Sequence, residues 1–304
     1  MALLTQTPPV SAGKLRTKEE LAASYRPQHR VPVWTIVRHA VLITFCALVI
    51  FPLLWVLLLS IKSLPDAYQN YIWPNVFDFT HYEFAWNRIP TLRHNYWNSI
   101  FVTMITVAVT TVCATLGGYA LVFLRAPGKA IITALFVASL FFPTRVTAFI
   151  GIFQVQSELG LINKAWGLMF PYAALSMAIS VFVMRGVFQT VPQDLVDASR
   201  IDGAGPLRQL VGIMLPIVRN GIVVVVMINF VAAWGEYLLA SRLMNEQGQW
   251  TLPVVLASAA GGVGAWAWPR LAAVYIMAIL PGLIFFAIAQ RWYMKGLQEG
   301  ALKA

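Results

Sequence analysis

Three polar side chains interrupt long apolar stretches of this sequence, and each has a type that can bind a small molecule. Arg145 can pair with an anionic group on a ligand or with a protein carboxylate. Asn229 can hydrogen-bond a ligand hydroxyl or a neighbouring helix, and Glu236 can bind a ligand or pair with Arg242 or Arg145. Ionisable and amide side chains in apolar surroundings are rare, so we interpret these three as candidates for a binding pathway.

Two aromatic residues flank the candidate carboxylate. Trp234 and Tyr237 offer flat faces on which a sugar ring can stack, and the same residue types also anchor helices at a membrane interface. The sequence leaves both interpretations open. We therefore place Trp234 and Tyr237 with the pathway candidates.

The composition shows the setting in which these residues act. The chain has 304 residues, 59% of them hydrophobic and only 11% charged, with a mean hydropathy of +0.70. Soluble domains have about 45–50% apolar and about 25% charged residues, so this is a membrane protein. The net charge of +10 comes from basic residues between apolar runs and not from a basic stripe among aromatics, which excludes a nucleic-acid partner.

Six apolar runs are long enough to cross a bilayer. The runs are continuous and not alternating, which favours helices over barrel strands. We predict spans over residues 39–61, 98–124, 131–153, 166–188, 217–243 and 271–292.

The basic residues also orient the chain. Most of the 22 Lys and Arg residues fall on the side that carries both termini, and cytoplasmic loops are enriched in these residues. We predict a cytoplasmic leader over residues 1–38, a transmembrane domain over 39–292 and a cytoplasmic tail over 293–304. His81 and His94 lack neighbouring ligands at metal-binding spacing, and no metal site is expected.

The connection between the fourth and fifth predicted spans, residues 189–219, has helical patterning of its own. Thr190 and Gln193 are spaced like a capping box, which predicts a helix start, and Gly203 suits a helix end. A second short helix is predicted after Gly205, ending at Pro216. This connection therefore predicts two short helices that meet at a glycine.

The residues of this connection carry a resemblance to a known family. Asp197-Ala198-Ser199, then Gly203, and then Ile213 and Leu215-Pro216 at the right spacing resemble the EAA loop of ABC importer permeases. Asp197 replaces the usual Glu and Ser199 the second Ala, whereas Asp202-Gly203-Ala204 matches the common core. Matches elsewhere cover nearly the whole transmembrane chain: Pro143, Gly160-Leu161-Ile162-Asn163, Trp234-Gly235-Glu236-Tyr237, Thr251-Leu252-Pro253 and the ending from Gly296 to Lys303. This ending resembles the second permease subunit of the maltose-transporter type.

The resemblance implies an all-α, multi-pass protein of the prokaryotic plasma (inner) membrane with a cytoplasmic EAA-type coupling helix. It implies import of a sugar or sugar derivative together with a related second permease subunit, two ATPase subunits and an external solute-binding protein. ATP and Mg would be bound by the ATPase subunits, and this chain would not be an enzyme. The sequence agrees, because it contains no G-x-x-x-x-G-K-[ST] phosphate loop.

The resemblance also assigns roles to residues of the connection. The candidates for contact with the ATPase are Asp197, Ala198, Ser199, Asp202, Gly203 and Ala204.

Three other functions remain open at this point. An ion-driven secondary transporter would need buried carboxylates at the centre of its spans, and no central position of the predicted spans has one. An ABC permease for amino acids or peptides is disfavoured by the carbohydrate-type ending. A membrane scaffold without transport would leave the motifs of residues 189–219 unused.

Overall fold

The structure is a computed structural model that describes residues 33–69, 71–124, 127–141, 148–261 and 266–301, with side chains to residue 292. The chain divides into two compact units, residues 1–53 and residues 54–304. The described part is helical and holds no β-sheet; an isolated antiparallel bridge joins Lys62 to Phe77. The predicted all-α class is confirmed.

The helices are numbered here in chain order. They are α1 (Val33–Ser60), α2 (Thr80–Arg88), α3 (Leu92–Phe123), α4 (Lys129–Phe141), α5 (Phe149–Glu158), α6 (Met169–Gln189), α7 (Gln193–Ile201), α8 (Pro206–Trp234), α9 (Leu238–Leu243), α10 (Leu252–Gly261) and α11 (Trp268–Ala301). Single turns lie at Leu64–Ala67, Ala165–Leu168 and Gln247–Gln249.

Within the described ranges, five helical segments are long and apolar enough to cross a membrane, by length and composition. They are Val33–Ser60, Leu92–Phe123, Ala165–Gln189, Pro206–Trp234 and Trp268–Trp292. The chain is therefore a multi-pass membrane protein. The predicted span over residues 131–153 is represented by α4 and α5, which are shorter, and residues 142–147 between them lie outside the described residues.

The predicted span over residues 217–243 extends too far at its C-terminal end. The structure ends α8 at Trp234 and begins a separate helix, α9, at Leu238. The cause is local: the Glu236 carboxylate accepts hydrogen bonds from the backbone N–H groups of Leu239 and Ala240 at 3.0 and 3.2 Å, and so caps the first turn of α9.

Three helices form the centre of the second unit. α3 packs along α6, and α8 packs against both. Their close approach depends on two glycines: a Cβ on Gly118 would lie 2.8 Å from the Met184 Cβ, and a Cβ on Gly221 would lie 2.5 Å from the Val187 methyls. Small residues allow such close backbone approach between membrane helices.

A small cap of hydrogen-bonded residues follows α1. The buried Asp66 accepts hydrogen bonds from the backbone N–H and side-chain amide of Asn75 at 2.9 and 3.0 Å, and the Asn75 amide is the main reason that the pKa of Asp66 is lowered. The buried Lys62 Nζ donates to the carbonyl of Tyr71 at 2.6 Å. The buried His81 Nε2 lies 2.8 Å from the Lys62 carbonyl. These hydrogen bonds link the residues of the cap to one another.

Replacing Gly118 with Ala should destabilise the protein. The added methyl meets the Met184 Cβ and the Arg185 backbone nitrogen, which cannot move without shifting α6. Overpacking of this kind costs about 1–3 kcal/mol, which thermal unfolding of the purified transporter in detergent would detect. Gly186→Ala is the matched control, since nothing lies within 4 Å of a Cβ there. Equal melting temperatures for Gly118→Ala and the control would contradict the close packing.

Candidate coupling site and polar helix interface

Helix α7 is closed at its C-terminal end by a glycine in the left-handed region. Gly203 has φ +75, and its N–H donates to the Arg200 carbonyl at 3.0 Å. The Ala204 N–H donates to the Ser199 carbonyl at 2.9 Å, so the two bonds form a Schellman motif. The sequence prediction of a turn at Gly203 agrees with this geometry.

The start of α7 differs from the predicted capping box. The Thr190 hydroxyl donates to the Val187 carbonyl at 2.8 Å, and so belongs to the end of α6. The Gln193 amide donates to Asp197 at 3.4 Å and does not reach back to the helix start. Pro192 takes the cap position without a side-chain bond, and the capping-box prediction was wrong.

The second predicted short helix is the first part of a long one. It begins after Gly205 as predicted, but passes Pro216 and continues as α8 to Trp234. The six residues from Gln209 to Met214 form a π-helical segment. Its wider turns precede the proline, which lacks an N–H, and the helix continues without a break.

A buried glutamine joins α7 to the spans. Gln209 is 3% exposed, and its amide nitrogen donates to the Ser199 hydroxyl at 2.8 Å. Its amide oxygen accepts from the Tyr119 hydroxyl on α3 at 3.3 Å, while that hydroxyl also lies 3.1 Å from the Pro206 carbonyl. One side chain thus connects α3, α7 and the start of α8.

An apolar cluster surrounds this polar contact. Val196 of α7 is fully buried and packs with Leu210 and Met214 of α8. Tyr119, Phe123 and Phe188 complete the cluster with edge-on and tilted ring contacts 5.6–6.1 Å apart. The buried face of α7 is therefore fixed by both packing and hydrogen bonds.

The opposite face of α7 is open. Asp194, Asp197 and Ala198 are exposed, together with Ile201, which is 87% exposed. Asp197 pairs with Arg200 at 3.0 Å within the helix, and both side chains are about half exposed. Asp202 and Gly203 continue this exposed surface, and Ala204 is partly covered.

Ser199 does not belong to the exposed surface. It is 4% exposed, and its hydroxyl is engaged by Val196 and Gln209 of its own chain. Ser199 therefore helps to hold α7 against α8 from its inner side, and its assignment as a contact residue for an ATPase stays a prediction.

Among the pathway candidates, Asn229 is fully buried and joins two helices. Its amide nitrogen donates to the Ser180 hydroxyl of α6 and to the Val225 carbonyl, both at 2.8 Å. Of its two predicted roles, the structure shows the bond between helices.

Trp234 and Tyr237 lie in different surroundings. The Trp234 indole donates to the Ala278 carbonyl of α11 at 3.1 Å, and its ring is nearly parallel to Phe230 at 5.6 Å. Phe230 in turn stacks on Phe285 at 3.9 Å. Tyr237 is 46% exposed. Trp234 thus belongs to an aromatic stack between α8 and α11, whereas the face of Tyr237 remains free for a ligand or lipid.

Glu236 caps α9 and makes no ion pair with Arg242 within the described residues. Its predicted alternative partner, Arg145, lies outside the described residues, as does Pro143. The structure brings Trp234, Glu236 and Tyr237 together at one end of α8, with Asn229 two turns deeper. Their role toward a ligand stays a prediction.

Sequence reasoning missed several residues that hold these sites. Gln209 and Tyr119 had no spacing signal, because their contact joins residues 90 positions apart in the sequence. Tyr172, Ser176 and Ser180 did have one: they recur every four residues on a single face of α6, the face that meets Asn229.

The comparisons with known proteins agree with this architecture. Residues 115–298 match the family described as the binding-protein-dependent transport system inner membrane component. The chain is 29% identical over 269 residues to the diacetylchitobiose uptake system permease protein of Streptomyces coelicolor, covering 88% of each chain. It is 30% identical over 256 residues to the sulfoquinovosyl glycerol transport system permease protein of Agrobacterium fabrum, covering 84% of this chain and 89% of the relative.

A solved structure shows the same fold. A chain of the bacterial ABC transporter involved in the import of the acidic polysaccharide alginate superposes with a TM-score of 0.77 at 21% identity, covering 86% of this chain and 96% of that chain.

Fold and site together define a multi-pass, all-α permease subunit, which is not an enzyme. The protein belongs to the binding-protein-dependent transport system inner membrane component family. It works in an importer of the ABC class.

Replacing Gln209 with Met should loosen α7 while keeping side-chain length. The change removes the hydrogen bonds that the Gln209 amide makes with the Ser199 and Tyr119 hydroxyls, each of which contributes about 0.5–1.5 kcal/mol, while these hydroxyls keep their bonds to the Val196 and Pro206 carbonyls. Backbone amides of residues 193–201 should then exchange hydrogen faster in the purified transporter. Gln193→Met, on the exposed face, is the control. Unchanged exchange in Gln209→Met would show that the amide does not hold the helix.

Proposed function

We propose that this chain couples ATP hydrolysis on partner subunits to import of a sugar or sugar derivative, through contact between α7 and an ATPase subunit. The observation that carries the proposal is the two-sided construction of α7. Its inner face is fixed to α3 and α8 by Gln209 and Val196, and its outer face presents Asp197, Ala198 and Ile201 to a partner.

This construction suits the transmission of force. A helix that packs on the ends of two spans must move when they move, whereas an unsupported loop would absorb the displacement. A rotation of the ATPase against α7 would therefore tilt α3 and α8 together. Asp202, Gly203 and Ala204 set the direction of the chain as it leaves α7 and enters α8.

The assembly implied by this mechanism has several other members. A second, homologous permease subunit would complete the passage, two ATPase subunits would bind ATP and Mg, and an external solute-binding protein would deliver the cargo. The proposed arrangement places both termini in the cytoplasm, with the leader 1–38 and the tail 293–304 on the same side as the connection 189–219. The transmembrane domain 39–292 contacts lipid.

The cargo class is supported by what the relatives transport. They include permeases for diacetylchitobiose, for sulfoquinovosyl glycerol and for trehalose, and the alginate importer carries an acidic polysaccharide. We extend a saccharide cargo to this chain. Arg145 adds the hypothesis of an anionic group on that cargo, with Trp234, Glu236 and Tyr237 at the outer end of the pathway.

Replacing Gly203 with Val should uncouple the transporter without preventing membrane insertion. A β-branched residue at φ +75 is strained by about 1–2 kcal/mol, and relief of this strain changes the exit angle of α7. Uptake and cargo-stimulated ATP hydrolysis in proteoliposomes should both fall.

The control for this variant is Gly212→Val, at a helical position with open space around a Cβ. Its coupling should match the wild type. Normal coupling in a correctly inserted Gly203→Val transporter would show that α7 is not the contact with the ATPase.

Replacing Arg145 with Gln tests the charge of the cargo. A cation inside a span costs about 2.5–3.5 kcal/mol at the helix centre, so an anion on the cargo or on the protein must offset it. If the cargo does so, uptake of anionic saccharides falls while basal ATP hydrolysis and complex assembly are unchanged. If Glu236 does so, Arg145→Gln and Glu236→Gln both lower the melting temperature. A stable and fully active Arg145→Gln transporter would contradict both explanations.

A further inference from the structure

The segment that follows α1 is a closed loop, which leaves the end of this helix and returns to it. The Asp78 N–H donates to the Ile61 carbonyl at 2.8 Å, and the antiparallel bridge between Lys62 and Phe77 lies beside this bond. The described residues between these two contacts, 63–69 and 71–77, are called the cap loop here. Both ends of the cap loop therefore lie next to the end of α1.

The charged side chains at the cap loop are turned inward. Asp66 is the single charged residue of the sequence 63–77, and it is only 7% exposed because Asn75 and Val76 donate hydrogen bonds to it at 2.9–3.4 Å. Lys62, just before the loop, is 3% exposed and donates to the Tyr71 carbonyl. The outer surface of the cap loop thus carries no charged side chain.

Large apolar and aromatic side chains cover this outer surface instead. Each is more than half exposed, and they are Tyr68, Tyr71, Ile72, Trp73, Val76 and Phe77. Surfaces that stay in water rarely group so many large apolar side chains on one short segment. The cap loop therefore has the surface of a segment that contacts an apolar partner.

The position of the cap loop in the sequence places it at a membrane surface. The uncharged run 40–61 covers about 33 Å at about 1.5 Å per residue, close to the thickness of the hydrocarbon core, which is about 30 Å. The exposed side chains of Leu54 and Leu57 continue the apolar surface along α1 up to the loop. The cap loop then begins where the hydrocarbon core ends, and Trp and Tyr are enriched at this level of membrane proteins.

Lipid fits this surface better than a soluble protein partner does. A soluble partner that binds and leaves would return the apolar side chains to water each time, at a free-energy cost that grows with the exposed area. Lipid is present at the end of a membrane span at all times. The absence of charge on the outer surface also gives a soluble partner no charged group to recognise.

We propose that the cap loop is an interfacial anchor, inserted among the lipid headgroups and the first part of the acyl chains at the end of α1. In the proposed arrangement of the termini, this is the outer leaflet. The anchor also holds α2 at the membrane surface, because the Ser60 and Tyr82 hydroxyls lie 2.6 Å apart and the His81 Nε2 lies 2.8 Å from the Lys62 carbonyl. It depends neither on the cargo nor on the contact with an ATPase.

The test is a measurement of membrane depth by electron paramagnetic resonance on the complete purified transporter in lipid nanodiscs, without cargo, nucleotide or solute-binding protein. A single spin label is attached through Trp73→Cys after Cys46 and Cys113 have been replaced. Its collisions with oxygen, which concentrates in lipid, are compared with its collisions with a water-soluble nickel chelate. Val76→Cys repeats the measurement at a second exposed site of the loop, in case the loss of Trp73 disturbs it.

Two control labels define the scale. Leu57→Cys near the end of α1 is the lipid reference, and Glu83→Cys on the exposed face of α2 is the water reference. The ratio of oxygen to chelate collisions at positions 73 and 76 should exceed that at position 83 several-fold and approach that at position 57. A ratio equal to that at position 83 would overturn the proposal, because the loop would then lie in water. Exclusion of both reagents would also overturn it, because protein and not lipid would then cover the loop.

Discussion

The attachment of α7 to the ends of α3 and α8 is the constraint on which the mechanism depends. It rests on Gln209, a buried residue whose side-chain amide both donates and accepts hydrogen bonds. Its amide has hydrogen-bond partners on two other elements, so α7 cannot rotate or lift without leaving buried polar groups unpaired. This makes the exposed face of α7 a rigid surface and not a flexible loop.

Buried side-chain hydrogen bonds also join helices elsewhere in the bundle. Between α6 and α8, Asn229 bonds Ser180, and Glu236 closes the first turn of α9. Close packing at Gly118 and Gly221 brings the backbones near enough for these short side chains to reach one another. Packing and hydrogen bonding therefore set one alignment of α3, α6 and α8, and the position of α7 follows from that alignment.

The sequence correctly predicted the features that depend on a periodic pattern or on a single local residue. The apolar runs predicted helices, and the glycine at position 203 predicted a turn because few other residues adopt a positive φ. It failed where contacts between distant segments decide the outcome. Ser199 belongs to the motif by sequence, but its hydroxyl accepts a hydrogen bond from Gln209, ten positions later, on the inner side of α7. The end of α8 was missed because the Glu236 carboxylate accepts hydrogen bonds from backbone N–H groups at the start of α9. The apolar character of the run from 217 to 243 does not show this interaction.

The most direct measurement of the central claim is a pair of distances by pulsed electron paramagnetic resonance. Spin labels at Asp194 of α7 and Val112 of α3, both exposed, would be placed in a transporter whose Cys46 and Cys113 have been replaced. If α7 and its spans move as one body, this distance stays the same and narrow between nucleotide-free and ATP-bound transporter. The distance from Asp194 to a label on the second permease subunit should change at the same time. A shift or broadening of the distance from Asp194 to Val112 on ATP binding would contradict the account.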